Sequence, residues 1–452
     1  MTWKPAGSRV SLCPVLWPAA LLLVLAGGVA AQTILFTNAV LIDGTGRPPR
    51  EQAALLVVDG RIRSIGLASA IEHPAAARVV DVSGKTIIPG IMNLHGHIGM
   101  VKGLVQSQEN FTAGNIIKNL ETYARYGVTS TTSMGSDLDL ILEIRDRQRR
   151  GDLLGARVYT ALQGFTGKAG YPTSAPGMKG VATEVSGVEE ARAGVDRLAD
   201  KGADMIKIWV DDHQDREPKI SSELYGAIIS QTHKRGLKAY AHVYEVADAR
   251  ALVDAGVDVL AHSVRDAEVD DALVRAMKTG NVTLIPTLSR ELSTFVYAES
   301  PKWLDDPFFR KSVSESVVDA LKTDVRAAQA RDPDREINRK GLEIAKRNLK
   351  KLSVGGVRIG FGTDSGPPAR FPGYFAHLEM ELMADAGLTP IEIIGSFSRN
   401  AAETLGVAHE FGTLAPGHYA DFVVLDANPL KDIRAARSIH AVYIGGRSVP
   451  LD

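Results

Sequence analysis

The stretch Ile88-Pro89-Gly90-Ile91-Met92-Asn93-Leu94-His95-Gly96-His97 ends an apolar run in two histidines one residue apart. On an extended backbone residues i and i+2 share a face, so the two imidazoles point the same way. Neutral imidazole nitrogens converging from a strand end are a pair of metal ligands. Later apolar runs close on further titratable groups. Lys207 sits in Met205-Ile206-Lys207-Ile208-Trp209-Val210, His242 ends Lys238-Ala239-Tyr240-Ala241, His262 ends Val259-Leu260-Ala261, and Asp364 follows Gly362-Thr363. An unmodified ammonium inside an apolar strand is costly, so Lys207 needs a partner or a modification. The single cysteine, Cys13, lies near the N-terminus, leaving His, carboxylate or modified Lys as ligands.

These residues need strands that end on one side. Val128–Thr132, Arg157–Leu162, Met205–Val210, Leu237–His242, Val257–His262, Val282–Thr287 and Val357–Gly362 follow the first run, with amphipathic stretches such as Val188–Leu198 between most of them. Eight strands alternating with helices predict an α/β chain folded as a (β/α)8 TIM barrel over 91–411, its site at the C-terminal strand ends. The connection from Leu288 to Gly356 is longer than one helix requires and predicts a helical insertion at about 288–356 that shapes the pocket. Short β-branched runs punctuated by Asp-Gly fill 32–90, and 412–452 has the same texture. Neither piece can bury a core alone, so the two are expected to pair as a small β-sandwich domain.

The ordered set His95, His97, Lys207, His242, His262 and Asp364 behind Pro89-Gly90 resembles the amidohydrolase superfamily, in its imidazolonepropionase-like and Xaa-Pro dipeptidase-like branch. Gly202-Ala203-Asp204-Met205-Ile206-Lys207-Ile208, Gly362-Thr363-Asp364, Gly412-Thr413-Leu414-Ala415-Pro416-Gly417 and Ala420–Leu425 match its motifs. The resemblance implies two divalent ions and a carbon dioxide-derived carbamate on Lys207. One ion would take His95, His97, the carbamate and Asp364; the other the carbamate, His242 and His262. Asp364 would move the proton from a bridging hydroxide. A ligand set without thiols suits zinc, with manganese or cobalt as alternatives. Tyr244 matches the branch's carboxylate-binding tyrosine, and Arg265, Arg290, and Lys168 or Tyr171 are further candidates to bind substrate. Two positions depart from the pattern: Asn93 replaces an Asp, and Gly164-Phe165-Thr166-Gly167-Lys168 lacks a Gly-Gly-His-Gly.

The reaction this implies is hydrolysis of an amide in a small carboxylate-bearing molecule: an N-acyl amino acid, an Xaa-Pro dipeptide or an aryl-amino-acid amide. Rival readings are a mononuclear cyclic amidohydrolase or deaminase, a lactonase or phosphotriesterase-like hydrolase, and a non-catalytic barrel that binds. A net charge of -1 carries no nucleic-acid signal, and a homo-oligomer is compatible with the composition. Lys4 and Arg9, an uncharged run from Val10 to Ala31 and small residues at its end have the three parts of a secretory signal over 1–31. The expectation is an exported, periplasmic or secreted protein with no membrane attachment after cleavage. His73, His213, His233, His409, His418 and His440 are given no chemistry, and His377 a role in helix packing.

Overall fold

Parallel strands buried on both faces read as unbroken apolar runs, and Ile206–Val210 and Ala239–Val243 are buried at every residue. The computed structural model describes residues 1–2 and 33–452, so all but the first two residues of the expected leader lie outside the described residues. Ile91–Gly96, Val128–Ser133 and Arg157–Thr160 form one parallel sheet. Thr183–Val185, Phe165–Gly167, Ile206–Val210, Ala239–Val243, Val259–Ala261, Thr283–Ile285 and Arg358–Ile359 form a second. The backbone joins them at both seams. Leu94 N donates to Phe361 O at 2.7 Å and His97 N to Ser365 O at 2.7 Å; at the other seam Asp204 N donates to Thr160 O at 2.8 Å. The molecule is thus an α/β fold with parallel strands.

The connecting helices are set by local chemistry. Ser221 caps Ser222–Lys234 by accepting from Leu224 N, and Asp270 caps Asp271–Thr279 by accepting from Leu273 N. Val188–Lys201 stops at Gly202, whose φ of 89° suits glycine. The 288–356 segment is helical, ending in the long helix Arg335–Val354. It is pinned to the core by Trp303 and Phe309 packed against Tyr374 and by Tyr297 Oη donating to Ala369 O. Among the described residues no helix is long and apolar enough to cross a membrane.

Strands from both ends of the described chain share one eight-stranded sheet, in which Phe422–Leu425 pairs antiparallel with Thr86–Pro89. Phe36, Phe422 and Tyr443 meet at its centre, with ring centroids 4.8–5.1 Å apart. Arg157 ties this sheet to the parallel strands through Asp421, with Nε and a terminal nitrogen donating to its two carboxylate oxygens at 2.8 and 3.2 Å.

Candidate metal centre

His95 is the last residue but one of the strand Ile91–Gly96 and is 1% exposed. Thr363 N and Asp364 N both donate to its carbonyl, at 3.1 and 2.8 Å, which fastens the last parallel strand to the first. Asp364 takes a φ of 52°, a strained backbone for a residue with a side chain. Its Oδ1 lies 3.4 Å from His95 Nε2 and 3.0 Å from His97 Nε2. Ser136 Oγ meets His97 Nδ1 at 2.8 Å and so orients the ring. His95, His97 and Asp364 offer ligand atoms all within 4.8 Å of one another. Burial pushes the Asp364 carboxyl up, yet Arg370 and the two histidines outweigh it and hold it well below the usual carboxylate range. Burial drives His95 down to about 3, so its ring is neutral, as ligation requires.

Lys207 is fully buried, and its Nζ has no hydrogen-bond partner. Burial lowers it to about 7, Asp364 opposing the shift. Gly135 and Gly164 make its slot, since a Cβ at either would meet Trp209 at 2.6 or 2.3 Å and Lys207 Cγ at 3.0 Å. Gly164, in the strand-three loop that departs from the motif, thus leaves room for the Lys207 stem and Trp209. His242 and His262 pack ring against ring at 4.5 Å, and His262 lies 4.7 Å from His95. Thr287 Oγ1 meets His262 Nδ1 at 2.7 Å, and Asp211 Oδ2 meets His242 Nε2 at 2.7 Å. Burial pushes His242 down to about 3 and His262 well below its ordinary value. Neutral imidazoles, an ionised carboxylate, and the orphaned His95 Nδ1 and Lys207 Nζ fit a divalent-metal site with a modified lysine.

Two cavities border this cluster. One of about 360 Å³ is lined by Asp211, His213, Tyr244, Arg265 and Arg290, with Asp334 and Asn338 from the insertion. The other, of about 260 Å³, touches His97, Asp364, Tyr171, Trp209 and Arg370. Arg370 donates to Asp364 Oδ2 at 2.6 Å, and Arg290 Nε stands 3.6 Å from the same oxygen. Glu291 is shared by Arg290 at 2.8 Å and Arg265 at 3.0 Å. The larger cavity carries both signs, Arg216, Arg265 and Arg290 standing against Asp211, Glu217 and Asp334.

The sequence pattern of the amidohydrolase family matches residues 86–449. The chain belongs to that family. It is a metal-dependent hydrolase. Ochratoxinase of Aspergillus niger is 23% identical to it over 468 residues, spanning 94% of this chain and 88% of the relative. Imidazolonepropionase of Streptomyces avermitilis is 24% identical over 390 residues, spanning 83% and 81%. The crystal structure of a Xaa-Pro dipeptidase with bound methionine in its active site has a TM-score of 0.74 at 20% identity, covering 92% of this chain and 99% of that one. The family read from the motifs is thus the one to which the chain belongs.

Within this amidohydrolase the substrate candidates separate. Tyr244 and Arg290 line the larger cavity and Tyr171 the smaller. Arg265 lines the larger cavity too, but its charge goes to Glu291 and to the carbonyls of Val243 and Ser263, so it supports the wall. Lys168 is exposed and lines neither cavity. His213, given no chemistry from the sequence, lines the larger cavity with its ring 4.1 Å from that of Tyr171. His377 packs against Phe308 and meets Tyr126 O at 2.9 Å, a core contact. Asn93 accepts from Thr363 N and donates to Thr131 Oγ1, both at 3.1 Å, and an Asp could not make the second bond as donor. The sequence reading overlooked Asp211, Thr287, Glu291, Ser136 and Arg370. For Asp211 a signal existed, four residues past Lys207 and hence on the same face of an extended chain.

Proposed function

We propose that this amidohydrolase hydrolyses an amide of a small carboxylate-bearing substrate, with divalent ions, zinc foremost, held by His95, His97, Asp364, His242, His262 and a carbamate on Lys207. The observation that carries the reading is Lys207: a buried amine with no partner beside ionised Asp364 and neutral imidazoles. As an ammonium it is poorly served there; as an anionic carbamate it becomes a ligand.

Bound ions would supply hydroxide near neutral pH and polarise the scissile carbonyl. The chain's own groups do the rest. Asp364, steadied by Arg370, takes the proton of the attacking water and passes it to the leaving nitrogen as the C–O bond forms and the C–N bond breaks. Ser136, Asp211 and Thr287 orient His97, His242 and His262. Arg290 and Tyr244 bind the substrate carboxylate in the larger cavity.

The compact trio of His95, His97 and Asp364 favours a second reading, a one-ion cyclic amidohydrolase or deaminase. Metal analysis separates the two. About two ions per chain after loading with zinc and bicarbonate, falling to one or none in Lys207→Ala with loss of amide hydrolysis, supports the first. One ion per chain with Lys207→Ala unaffected overturns it.

We also infer that the parallel strands close into a (β/α)8 barrel over 91–411, an inference supported by the backbone bonds at both seams. The sheet from 32–90 and 412–452 is read as a small β-sandwich domain around Phe36, Phe422 and Tyr443. Export after removal of 1–31 predicts a mature N-terminus at Gln32, which N-terminal sequencing of secreted protein tests.

A further inference from the structure

Gly96 stands between the two histidines of the first strand, and behind it lies a buried cluster of neutral polar groups. A Cβ at Gly96 would meet Tyr123 Oη at 2.6 Å, Asn93 Nδ2 at 3.1 Å and Thr131 Oγ1 at 3.3 Å. Tyr123, from the helix Ala113–Arg125, is fully buried, as are Thr363 and Ser365 on either side of Asp364. Glycine at 96 thus lets a phenol hydroxyl come up against the backbone that carries His95 and His97. No member of the cluster is ionised, so none competes with Asp364 for a cation or for Arg370.

From that hydroxyl a chain of hydrogen bonds runs to both neighbours of Asp364. Tyr123 Oη and Ser365 Oγ stand 2.7 Å apart, and Ser365 Oγ and Thr363 Oγ1 are also 2.7 Å apart, so the two hydroxyls flanking Asp364 bond to one another. Ser365 N donates to Thr363 Oγ1 at 3.2 Å, and Thr363 N to Asn93 Oδ1 at 3.1 Å. Ser365 O in turn accepts from His97 N at 2.7 Å. A side-chain-bearing residue at a φ of 52° persists where its surroundings overdetermine it, and these bonds do so for Asp364.

We propose that Tyr123 is a positioning residue. Through Ser365 it fixes the turn that aims the Asp364 carboxylate at His95 and His97, and so governs both the ligand geometry and the proton transfer assigned to Asp364. It lines neither cavity, so substrate does not touch it. This rests on the metal-site reading above.

The test is a cycle of Tyr123→Phe, Ser365→Ala and the double variant in the full chain, loaded with zinc for kinetics and with cobalt for spectra. N-acetylphenylalanine and alanylproline serve as amide probes. Tyr123→Phe deletes one oxygen and keeps the ring. It should lower kcat about 10–100-fold with KM within about two-fold of wild type. The visible absorption of its cobalt form, which reports ligand geometry, should shift. The double variant should lose no more than the larger single loss, because both residues act on one turn. A kcat and a cobalt spectrum equal to wild type, even with a lowered melting temperature, make Tyr123 a structural tie and overturn the proposal. Losses that add in the double variant overturn it too. If wild type cleaves neither probe, the amide-hydrolase reading falls and the cobalt spectra decide for or against Tyr123. A wild-type chain that takes up no cobalt overturns the metal-site reading and this proposal with it.

Discussion

Three threonine and serine hydroxyls do more at this centre than their residue type announces. Thr287, itself at a φ of 49°, meets His262 Nδ1 and so selects which ring nitrogen faces the cluster. Thr287→Val keeps the branched shape but removes that bond, and zinc retention against a chelator should weaken about 10–100-fold. Ser133 and Thr160 both donate to Asp137, at 2.6 and 2.5 Å. Even so, burial raises the Asp137 carboxyl to about 7. Because the folded value lies above the unfolded one, the stabilisation is full below the unfolded value of about 3.9 and is lost as pH rises to about 7. The loss has an upper bound on the order of 4 kcal/mol at ~1.4 kcal/mol per pH unit. Asp137→Asn should flatten this part of the stability profile, which urea unfolding between pH 4 and about 8 would measure.

At the scale of elements, the short helix Leu288–Ser293 carries Arg290 into the larger cavity, with buried Glu291 bracing it from behind. Its first turn is fastened from outside: Leu288 N and Ser289 N donate to the two oxygens of buried Glu379, at 2.8 and 2.7 Å, from the helix Tyr374–Asp385. Glu379→Ala leaves these buried donors unpaired, at about 1–3 kcal/mol for each. The expected outcome is a lower denaturation midpoint and a raised KM with a smaller change in kcat, since Arg290 loses its footing rather than its charge. A KM unchanged from wild type would mean that the carboxylate of the substrate is bound elsewhere.

For the whole molecule, the decisive tie is Arg157 to Asp421, which joins a parallel strand to the sheet built from both chain ends. Asp421 also accepts from Gly445 N at 2.6 Å, and the Arg157 guanidinium lies over Tyr419 at 4.7 Å. Both partners are largely out of water, so removing one leaves the other's charge uncompensated. Arg157→Met should therefore cost about 3–5 kcal/mol, and the double variant Arg157→Met with Asp421→Leu should recover part of it. Calorimetry on the two singles and the double would give the coupling.

Much was legible in the sequence because strands and metal ligands leave local marks. The two-residue spacing of His95 and His97, the apolar runs closing on Lys207, His242 and His262, and the Gly-Thr-Asp ending in Asp364 are read within a few residues each. The alternation of strand and helix, and the helical character of 288–356, follow from periodicity in the same way. What escaped was pairing across distance. Nothing near Arg370 marks it as the partner of Asp364 and a wall of the smaller cavity, nothing near Glu291 shows that it is shared by two arginines, and Lys168 looks as able to bind an anion as Arg290 does until the fold leaves it in solvent. Asp211 reaches His242 across 31 residues and Tyr123 reaches Ser365 across 242. Local sequence sets which face a side chain takes along its own element. Which charge meets which depends on how the elements pack, and that packing exists only in the folded chain.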